Sequence, residues 1–257
     1  MKPALTHRRS GGGTVRETEM GRWRMEIPAG PEGVYRLAQL DDHMDLPRSA
    51  FAWQPPLRLE LRARVSADGM PGTWGFGLWN DPFSANIGVS GMARKLPLLP
   101  NTAWFFYAGE PNYLALRDDH PAQGFLAAVF KAPKIPSLAL APGVIALPLL
   151  ALRPAARLLR RAARLLVRDD AAIVPGSAAD WRTYRIDWRA ESVRFAVNGQ
   201  EIFVTPHSPR GPLGFVVWLD NQYAAFPPSG RLRFGTSANP EAAWLDVEAV
   251  ELSRLES

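Results

Sequence analysis

Two apolar stretches of the sequence each end in a tryptophan followed by amide and acidic side chains, and these residue types could bind a ligand. The stretches read GTWGFGLWNDPF and GPLGFVVWLDNQY. Aromatic faces with a few fixed polar groups are typical of carbohydrate and small-ligand grooves. The alternative is a strand that enters a polar turn, with its tryptophan in the core. We predict a ligand-binding role for Trp79, Asn80, Asp81, Trp218, Asp220, Asn221 and Tyr223.

Two Asp-Asp-His triplets are similar to acid–base or metal-binding clusters. They are Asp41-Asp42-His43 and Asp118-Asp119-His120. Adjacent strand residues point to opposite faces, so each triplet offers at most two groups to one site. Both lie near predicted turns, where aspartate is common for backbone reasons, and we interpret both as solvated turns. The sequence therefore predicts no metal site and no cofactor.

Alternation of apolar and polar residues defines the elements that must position these groups. In LRLELRARV (57–65) and TYRIDW (183–188), every second residue is apolar. This pattern predicts strands with one buried face. The dipeptide Asn198-Gly199 predicts a hairpin because both residues tolerate a positive φ. Strands this frequent, separated by Pro, Gly and Asn turns, predict an all-β antiparallel sandwich or barrel.

The order of these segments resembles the concanavalin A-like lectin/glucanase superfamily and is most similar to the family 16 glycoside hydrolases. The segments are LELRARVSADGMPGTWGFGLWNDPF, WRTYRIDWRAESVRFAVNGQEI, GPLGFVVWLDN and AWLDVEAVEL. The resemblance implies a jelly-roll sandwich of two antiparallel sheets with a concave groove. It also implies that the strand in NTAWFFYAGEPNYLAL lies in that groove, which adds Trp104 and Tyr107 to the predicted ligand-binding residues.

The catalytic acids of that family are absent from this sequence. The family carries E-x-D-x-x-E on one strand, which places the nucleophile and the acid on one face about 5 Å apart. No E-x-D-x-x-E occurs in this chain, and the corresponding segment has no acid before Glu110. We therefore predict no hydrolysis of the family 16 type and assign no catalytic residue.

One segment, at about residues 135–170, departs from the strand pattern. Residues 135–152 carry no charge, and residues 151–168 then hold six arginines and no acid. In the second part, leucines and arginines recur at helical spacing with an offset of two residues, or about 200°, so the two stripes lie on opposite faces of a helix. Prolines and the topology argue against a membrane span.

Two alternatives remain for this insertion. In the first, the apolar residues dip into a membrane and the arginines meet anionic head groups. In the second, the leucines cover an exposed sheet face and the arginines are simply solvated. The residues predicted to contact a membrane are Arg157, Arg160, Arg161 and Arg164.

Composition sets the remaining expectations. Without the six clustered arginines, the net charge of +5 becomes −1, so we expect no nucleic-acid partner. The 257 residues include no cysteine, which is compatible with a reducing cytoplasm. The N-terminus has no apolar core of signal-peptide length, and we predict a cytoplasmic, membrane-peripheral protein. We predict a flexible segment over residues 1–22 and one jelly-roll domain over residues 23–257.

These observations predict a non-catalytic ligand-binding or interaction domain. Its expected partners are a carbohydrate or a small hydrophobic ligand, together with an anionic membrane surface. The alternative is a divergent enzyme that uses the groove on a glycan or a hydrophobic small molecule. The fold alone does not choose between them.

Overall fold

A computed structural model describes residues 3–82, 98–135 and 152–256 of the chain. Within these ranges the chain forms sixteen β-strands and one α-helix, α1. The strands are β1 (Thr6–Ser10), β2 (Thr14–Glu19), β3 (Arg22–Ile27), β4 (Leu37–Asp41), β5 (Leu57–Val65), β6 (Thr73–Trp79), β7 (Thr102–Ala108), β8 (Gly124–Lys131), β9 (Arg168–Ile173), β10 (Arg182–Trp188), β11 (Val193–Val197), β12 (Gln200–Thr205), β13 (Gly214–Asp220), β14 (Gln222–Ala225), β15 (Arg233–Thr236) and β16 (Ala243–Arg254). The helix α1 runs over Arg153–Leu166.

Two seven-stranded antiparallel sheets pack face to face. Sheet 1 has the strand order β1-β4-β13-β6-β7-β8-β9, and sheet 2 has the order β12-β11-β10-β5-β16-β3-β2. A separate two-stranded ribbon is formed by β14 and β15. The predicted all-β sandwich of two antiparallel sheets is therefore confirmed.

Alternation places one face of each strand in the core between the sheets. In β5, the five apolar residues at odd positions from Leu57 to Val65 are all buried. Aromatic rings fill the centre of this core: Phe105 lies 5.0 Å from Tyr184 and 5.3 Å from Phe195, measured between ring centroids. These contacts join sheet 1 to sheet 2, because Phe105 belongs to β7 whereas Tyr184 and Phe195 belong to β10 and β11.

The two outer faces of the sandwich differ in chemistry. On sheet 2, arginines pair with acids across neighbouring strands, as when Arg24 donates to both carboxylate oxygens of Asp246 at 2.7 and 2.8 Å. On sheet 1, the centre of the outer face is apolar as well as the inner face, and six of the seven residues of β7 are buried. A strand buried on both faces reads as a continuous hydrophobic run, as TAWFFYA does.

The N-terminal residues belong to the sandwich. β1 pairs with β4 at one edge of sheet 1, and β2 pairs with β3 at one edge of sheet 2. The prediction of a flexible segment over residues 1–22 is therefore wrong. Its Arg-rich and Gly-rich composition misled the interpretation, because edge strands carry charged residues.

The helical insertion forms where the spacing predicted it, at Arg153–Leu166. The uncharged stretch that precedes it lies largely outside the described residues. No helix in the described part of the chain is long and apolar enough to cross a membrane.

Candidate ligand-binding face

Glycines in the middle of β6 shape the outer face of sheet 1. Its outward-facing positions include Gly75 and Gly77, which lie directly across from Trp218 and Trp104 on the neighbouring strands. A Cβ atom added to Gly75 would lie 2.7 Å from Cη2 of Trp218, and one added to Gly77 would lie 2.6 Å from Cβ of Trp104. The missing side chain of Gly75 therefore leaves room for the indole of Trp218, and that of Gly77 leaves room for β7 at Trp104.

Three of the predicted ligand-binding tryptophans meet on this surface. Ring centroids of Trp104 and Trp218 are 5.3 Å apart, and Trp79 stacks on Trp218 at 6.2 Å with an interplanar angle of 3°. Phe106 stacks on Trp104 at 5.2 Å. Trp104 and Trp218 are only 4% and 7% exposed, whereas Trp79 is half-buried. We call this group of four rings the aromatic cluster.

Three buried polar atoms beside the aromatic cluster have no hydrogen-bond partner among the described residues. They are Oγ1 of Thr102, Nε1 of Trp104 and Oδ1 of Asp169. All three residues are at most 4% exposed. Trp79, Thr102, Phe130 and Asp169 follow one another across four strands. Because buried polar atoms are almost always paired, a group of unpaired ones in one place requires an explanation.

A small cavity lies beside two of these residues, Trp104 and Asp169. It has a volume of about 30 Å³ and is lined by Trp104, Phe106, Phe130 and Asp169, among others. The other carboxylate oxygen of Asp169 accepts hydrogen bonds from the backbone N–H groups of Leu116 and Arg117, so the free oxygen is held in a fixed position. A cavity of this size holds a water molecule or one hydroxyl group.

A hydrogen-bonded chain leads from the aromatic cluster to a buried acid. The indole N–H of Trp218 donates to Oγ1 of Thr73 at 3.0 Å, and the Thr73 hydroxyl donates to Oδ1 of Asp220 at 2.8 Å. The Tyr35 hydroxyl lies 3.5 Å from the other oxygen of Asp220. Burial raises the pKa of Asp220 to about 7, although its hydrogen bonds oppose the shift. Burial beside this acid also raises the pKa of Tyr35.

The carboxylates of this face lie far apart. Asp41, Asp169 and Asp220 have side chains on the outer face of sheet 1, and the residues outside the described ranges include no Asp or Glu. Asp41 on β4 pairs with Val216 on β13. Because Val216 is four residues from Asp220 along β13, the two acids are roughly 14 Å apart. Asp169 is four strands from Asp220 and lines up with Gly214, six residues away along β13, which separates the two acids by roughly 27 Å. Glycosidase acid pairs are about 5 to 9.5 Å apart.

The fold has counterparts among solved structures. The Bacillus licheniformis β-glucanase is similar over 99% of this chain and 94% of its own, with a TM-score of 0.51 and 10% sequence identity. A β-1,3-1,4-glucanase (lichenase) derived from a mouse hindgut metagenome is similar over 98% of this chain and 93% of its own, with a TM-score of 0.51 and 9% identity. The fold is a concanavalin A-like jelly roll. No protein-family model and no curated protein matches the sequence.

Other predicted site residues of this jelly roll lie apart from the aromatic cluster. Tyr107 points to the opposite face of β7 and stacks on Trp74 at 5.5 Å; the prediction that it lines the same groove as Trp104 is wrong, since neighbours on a strand face opposite ways. Asn80 and Asn221 hold loops: their side-chain amides donate to the carbonyls of Leu99 and Val34.

Two further predicted residues also have local contacts. Asp81 is 1% exposed, has a positive φ of 51°, and accepts through its backbone carbonyl from Arg48. Tyr223 packs over Gly235 in the β14–β15 ribbon, where an added Cβ would lie 2.8 Å from the Tyr223 hydroxyl. The signal that misled the sequence interpretation was the polar turn after each tryptophan.

The triplet at residues 41–43 is buried, and its interpretation as a solvated turn is wrong. His43 is 1% exposed, and its Nε2 accepts from the indole N–H of Trp79 at 2.7 Å. Its Nδ1 lies 3.0 Å from the carbonyl oxygen of Phe215. A lone pair on Nε2 and a proton on Nδ1 satisfy both contacts. The ring therefore fixes the orientation of Trp79 at the edge of the aromatic cluster.

The triplet at residues 118–120 lies in a turn, as predicted. Asp118 and Asp119 are exposed, and Asp118 accepts from Arg160, which lowers the pKa of that carboxyl. Nowhere in the described ranges are three His, Asp or Glu side chains grouped so that they could hold a metal ion.

The helix α1 does not pack against the protein through its leucines, as a helix that covers a sheet would. The helix face that carries Arg160 points to the protein: Arg160 is 3% exposed and donates to the backbone carbonyl of Ala115 at 2.9 Å and to Asp118 at 2.7 Å. Leu158 and Leu165 point to solvent and are 68% and 80% exposed. The alternative in which these leucines cover the sheet is wrong, and so is the prediction that the buried Arg160 is free to contact a membrane.

Sequence reasoning missed several residues of the face. Thr102, Phe106, Phe130 and Asp169 share it with the tryptophans. Alternation along TAWFFYA could have grouped the first two with Trp104. Asp169 had no such signal, because it follows the arginine-rich helix directly in the sequence.

Proposed function

We propose that the protein is a non-catalytic ligand-binding domain that takes a carbohydrate on the outer face of sheet 1. One observation carries the proposal: a buried indole N–H and two buried oxygens, those of Thr102 and Asp169, are unpaired beside four aromatic rings. Pairing such groups with a ligand removes the cost of leaving them buried and unsatisfied.

The chemistry of the face fits a sugar. Sugar rings combine an apolar C–H face with hydroxyl groups that both donate and accept. The half-buried rings of Trp79 and Phe130 offer surface to the first, and Trp104 Nε1 with Asp169 Oδ1 offer a donor and an acceptor to the second. The cavity of about 30 Å³ admits one hydroxyl group, so the ring of the sugar would lie over the half-buried Trp79 and Phe130.

The spacing of the acids supports binding without hydrolysis. Asp41 is also engaged within the fold, since its carboxylate accepts from the backbone N–H groups of His43 and Met44 and from Gln39. A second candidate function is a divergent enzyme, favoured by Asp220. A buried carboxyl whose pKa is raised to about 7 matches what general acid–base catalysis requires.

Binding can be tested by titrating the protein with laminarihexaose, a mixed-linkage glucan tetrasaccharide and cis-parinaric acid, followed by calorimetry and tryptophan fluorescence. We expect a glucan oligosaccharide to bind. Asp169→Asn should weaken its binding about tenfold, because a charge-assisted hydrogen bond is lost. Trp104→Phe, which keeps a ring and removes the N–H, should weaken it about fivefold.

Matched variants separate this site from general effects. Asp180→Asn alters an exposed acid, and Trp244→Phe alters a tryptophan of sheet 2; both should bind like the wild type. Binding of cis-parinaric acid alone would favour the hydrophobic-ligand alternative. Absence of binding by all three probes, or equal affinity of Asp169→Asn and wild type, would contradict the proposal.

We further propose that the protein is cytoplasmic and associates peripherally with anionic membranes through the insertion. Five of the six arginines within residues 151–168 are exposed and support this, as each basic group near an anionic surface contributes about 1 kcal/mol. Arg161 is exposed. Arg157 and Arg164 are exposed too, although each also donates within the protein, to Ser229 and Asp118.

A further inference from the structure

The orientation of α1 is fixed by its arginines. Arg160 enters the protein between two segments and donates to the backbone carbonyls of Ala115 and Phe226. Its guanidinium also lies over the rings of Tyr113 and Phe226, at 5.4 and 5.8 Å from their centroids. Backbone carbonyls within a protein need donors, and leucines cannot supply them. The helix face that carries Arg160 and Ala156 therefore points inward.

The same docking forces the leucines outward. Leu158 and Leu165 are one heptad apart on the helix and are 68% and 80% exposed. Leu159 and Leu166 flank them at 41% and 44%, and Leu152 at the start of the helix is 59% exposed. Most surface leucines are isolated and require no explanation, but five on one element form a continuous apolar stripe. We call these five residues the leucine stripe.

The charges around the leucine stripe and the uncharged segment before it indicate the kind of partner that the stripe contacts. The helix contains no acidic residue, and exposed Arg161 lies on the border of the stripe, about 60° of helix from Leu158. The 18-residue stretch that leads into the helix carries no charge at all. Leucines bordered by a cation, next to an uncharged segment, match a helix lying in the plane of a lipid interface.

We propose that the leucine stripe of α1 inserts into the acyl–head-group boundary of a lipid bilayer. This inference deepens the peripheral association proposed above and rests on it, but it moves the contact from the arginines to the leucines. Arg157, Arg160 and Arg164 act as the clamp that turns the leucines outward, and Arg161 meets the head groups. Binding is then driven mainly by apolar burial, which salt screens little.

The test is flotation of the full-length protein with unsaturated phosphatidylcholine vesicles and with vesicles that contain 30% phosphatidylglycerol, at about 0.1 and about 0.5 M NaCl. We expect binding to both compositions, with less than a threefold loss at high salt. Leu158→Gln/Leu165→Gln should reduce partitioning at least tenfold, because glutamine keeps helix propensity and removes the apolar contact. Met20→Gln, at a residue 98% exposed on a β-turn, is the matched control and should bind like wild type.

The outcomes separate this inference from the peripheral association itself. Binding to anionic vesicles that salt releases, and that Leu158→Gln/Leu165→Gln leaves intact, would overturn the leucine insertion while the arginine contact stands. Absence of binding to both vesicle types would overturn both. Self-association that the double variant abolishes, without vesicle binding, would assign the stripe to a second copy of the chain. Glucan titration of the double variant reports the ligand-binding face independently.

Discussion

At the residue scale, Asp220 is a buried acid whose pKa the fold raises. It sits at the end of β13, accepts from Thr73 and from the backbone N–H of Gln222, and is 7% exposed. Burial disfavours the charged carboxylate more than these bonds favour it, so the pKa rises from 3.8 to about 7. The protonated form stabilises the fold relative to the ionised form.

This shift predicts a pH dependence of stability that Asp220→Asn removes. Because the folded pKa lies above the unfolded one, the contribution is fully present below about pH 4 and is lost as pH rises through about 7. The full effect corresponds to at most about 4 kcal/mol. Urea unfolding between pH 4 and pH 8 should show the free energy of unfolding of the wild type falling relative to that of the variant. Parallel pH profiles would contradict it.

The tryptophans show what could be predicted at this scale. Alternation and strand order placed Trp79, Trp104 and Trp218 together, and they are in contact. The same alternation excludes Tyr107, which is three residues from Trp104 and therefore on the opposite face. The burial of His43 was not predictable, since it depends on contacts with Trp79 and Phe215, which are distant in the sequence.

At the element scale, the periodicity of α1 predicted a helix and its two stripes but not which stripe faces inward. Leucine burial is the usual choice, because it removes apolar surface from water. Here the neighbouring segments present backbone carbonyls at Ala115, Phe226 and Ser229, and these accept from Arg160 and Arg157. The face of α1 that is buried is therefore determined by contacts with segments far away in the sequence. The residue pattern of the helix alone does not predict these contacts.

Arg160→Met tests whether this clamp holds the helix. The change keeps an unbranched apolar stem, leaves two carbonyls without this donor and removes one of the two arginine donors of Asp118, which should cost about 2 to 4 kcal/mol of the free energy of unfolding. Arg161→Met, at an exposed position, should cost less than about 0.5 kcal/mol. Urea unfolding measures both, and hydrogen exchange over residues 153–166 should rise only in Arg160→Met. Equal stability of the two variants would show that the helix docks by other contacts.

At the scale of the whole molecule, the order of strand motifs predicted the jelly roll. Most strands show alternating apolar and polar residues, and the turns between them contain Gly, Asn or Pro. The strands β1 and β2 were not predicted. They lie at the edges of the two sheets, and their charged side chains do not show the alternation typical of a strand with one buried face. The strands of sheet 1 show that its outer face is the buried one: all seven residues of β13, for example, are buried. Unpaired atoms such as Asp169 Oδ1 emerge only from the assembled sheet.

The wide separation of the acids on the outer face of sheet 1 predicts no hydrolysis of glucans. Hydrolysis of a glycosidic bond by two carboxylates requires them about 5 to 9.5 Å apart across the bond. The three on the outer face are separated by roughly 14 Å or more. We expect incubation with lichenan or laminarin to release no reducing ends above a heat-inactivated control, even where the oligosaccharide binds. Release that Asp220→Asn or Asp169→Asn abolishes would show a single-acid mechanism and make the protein an enzyme.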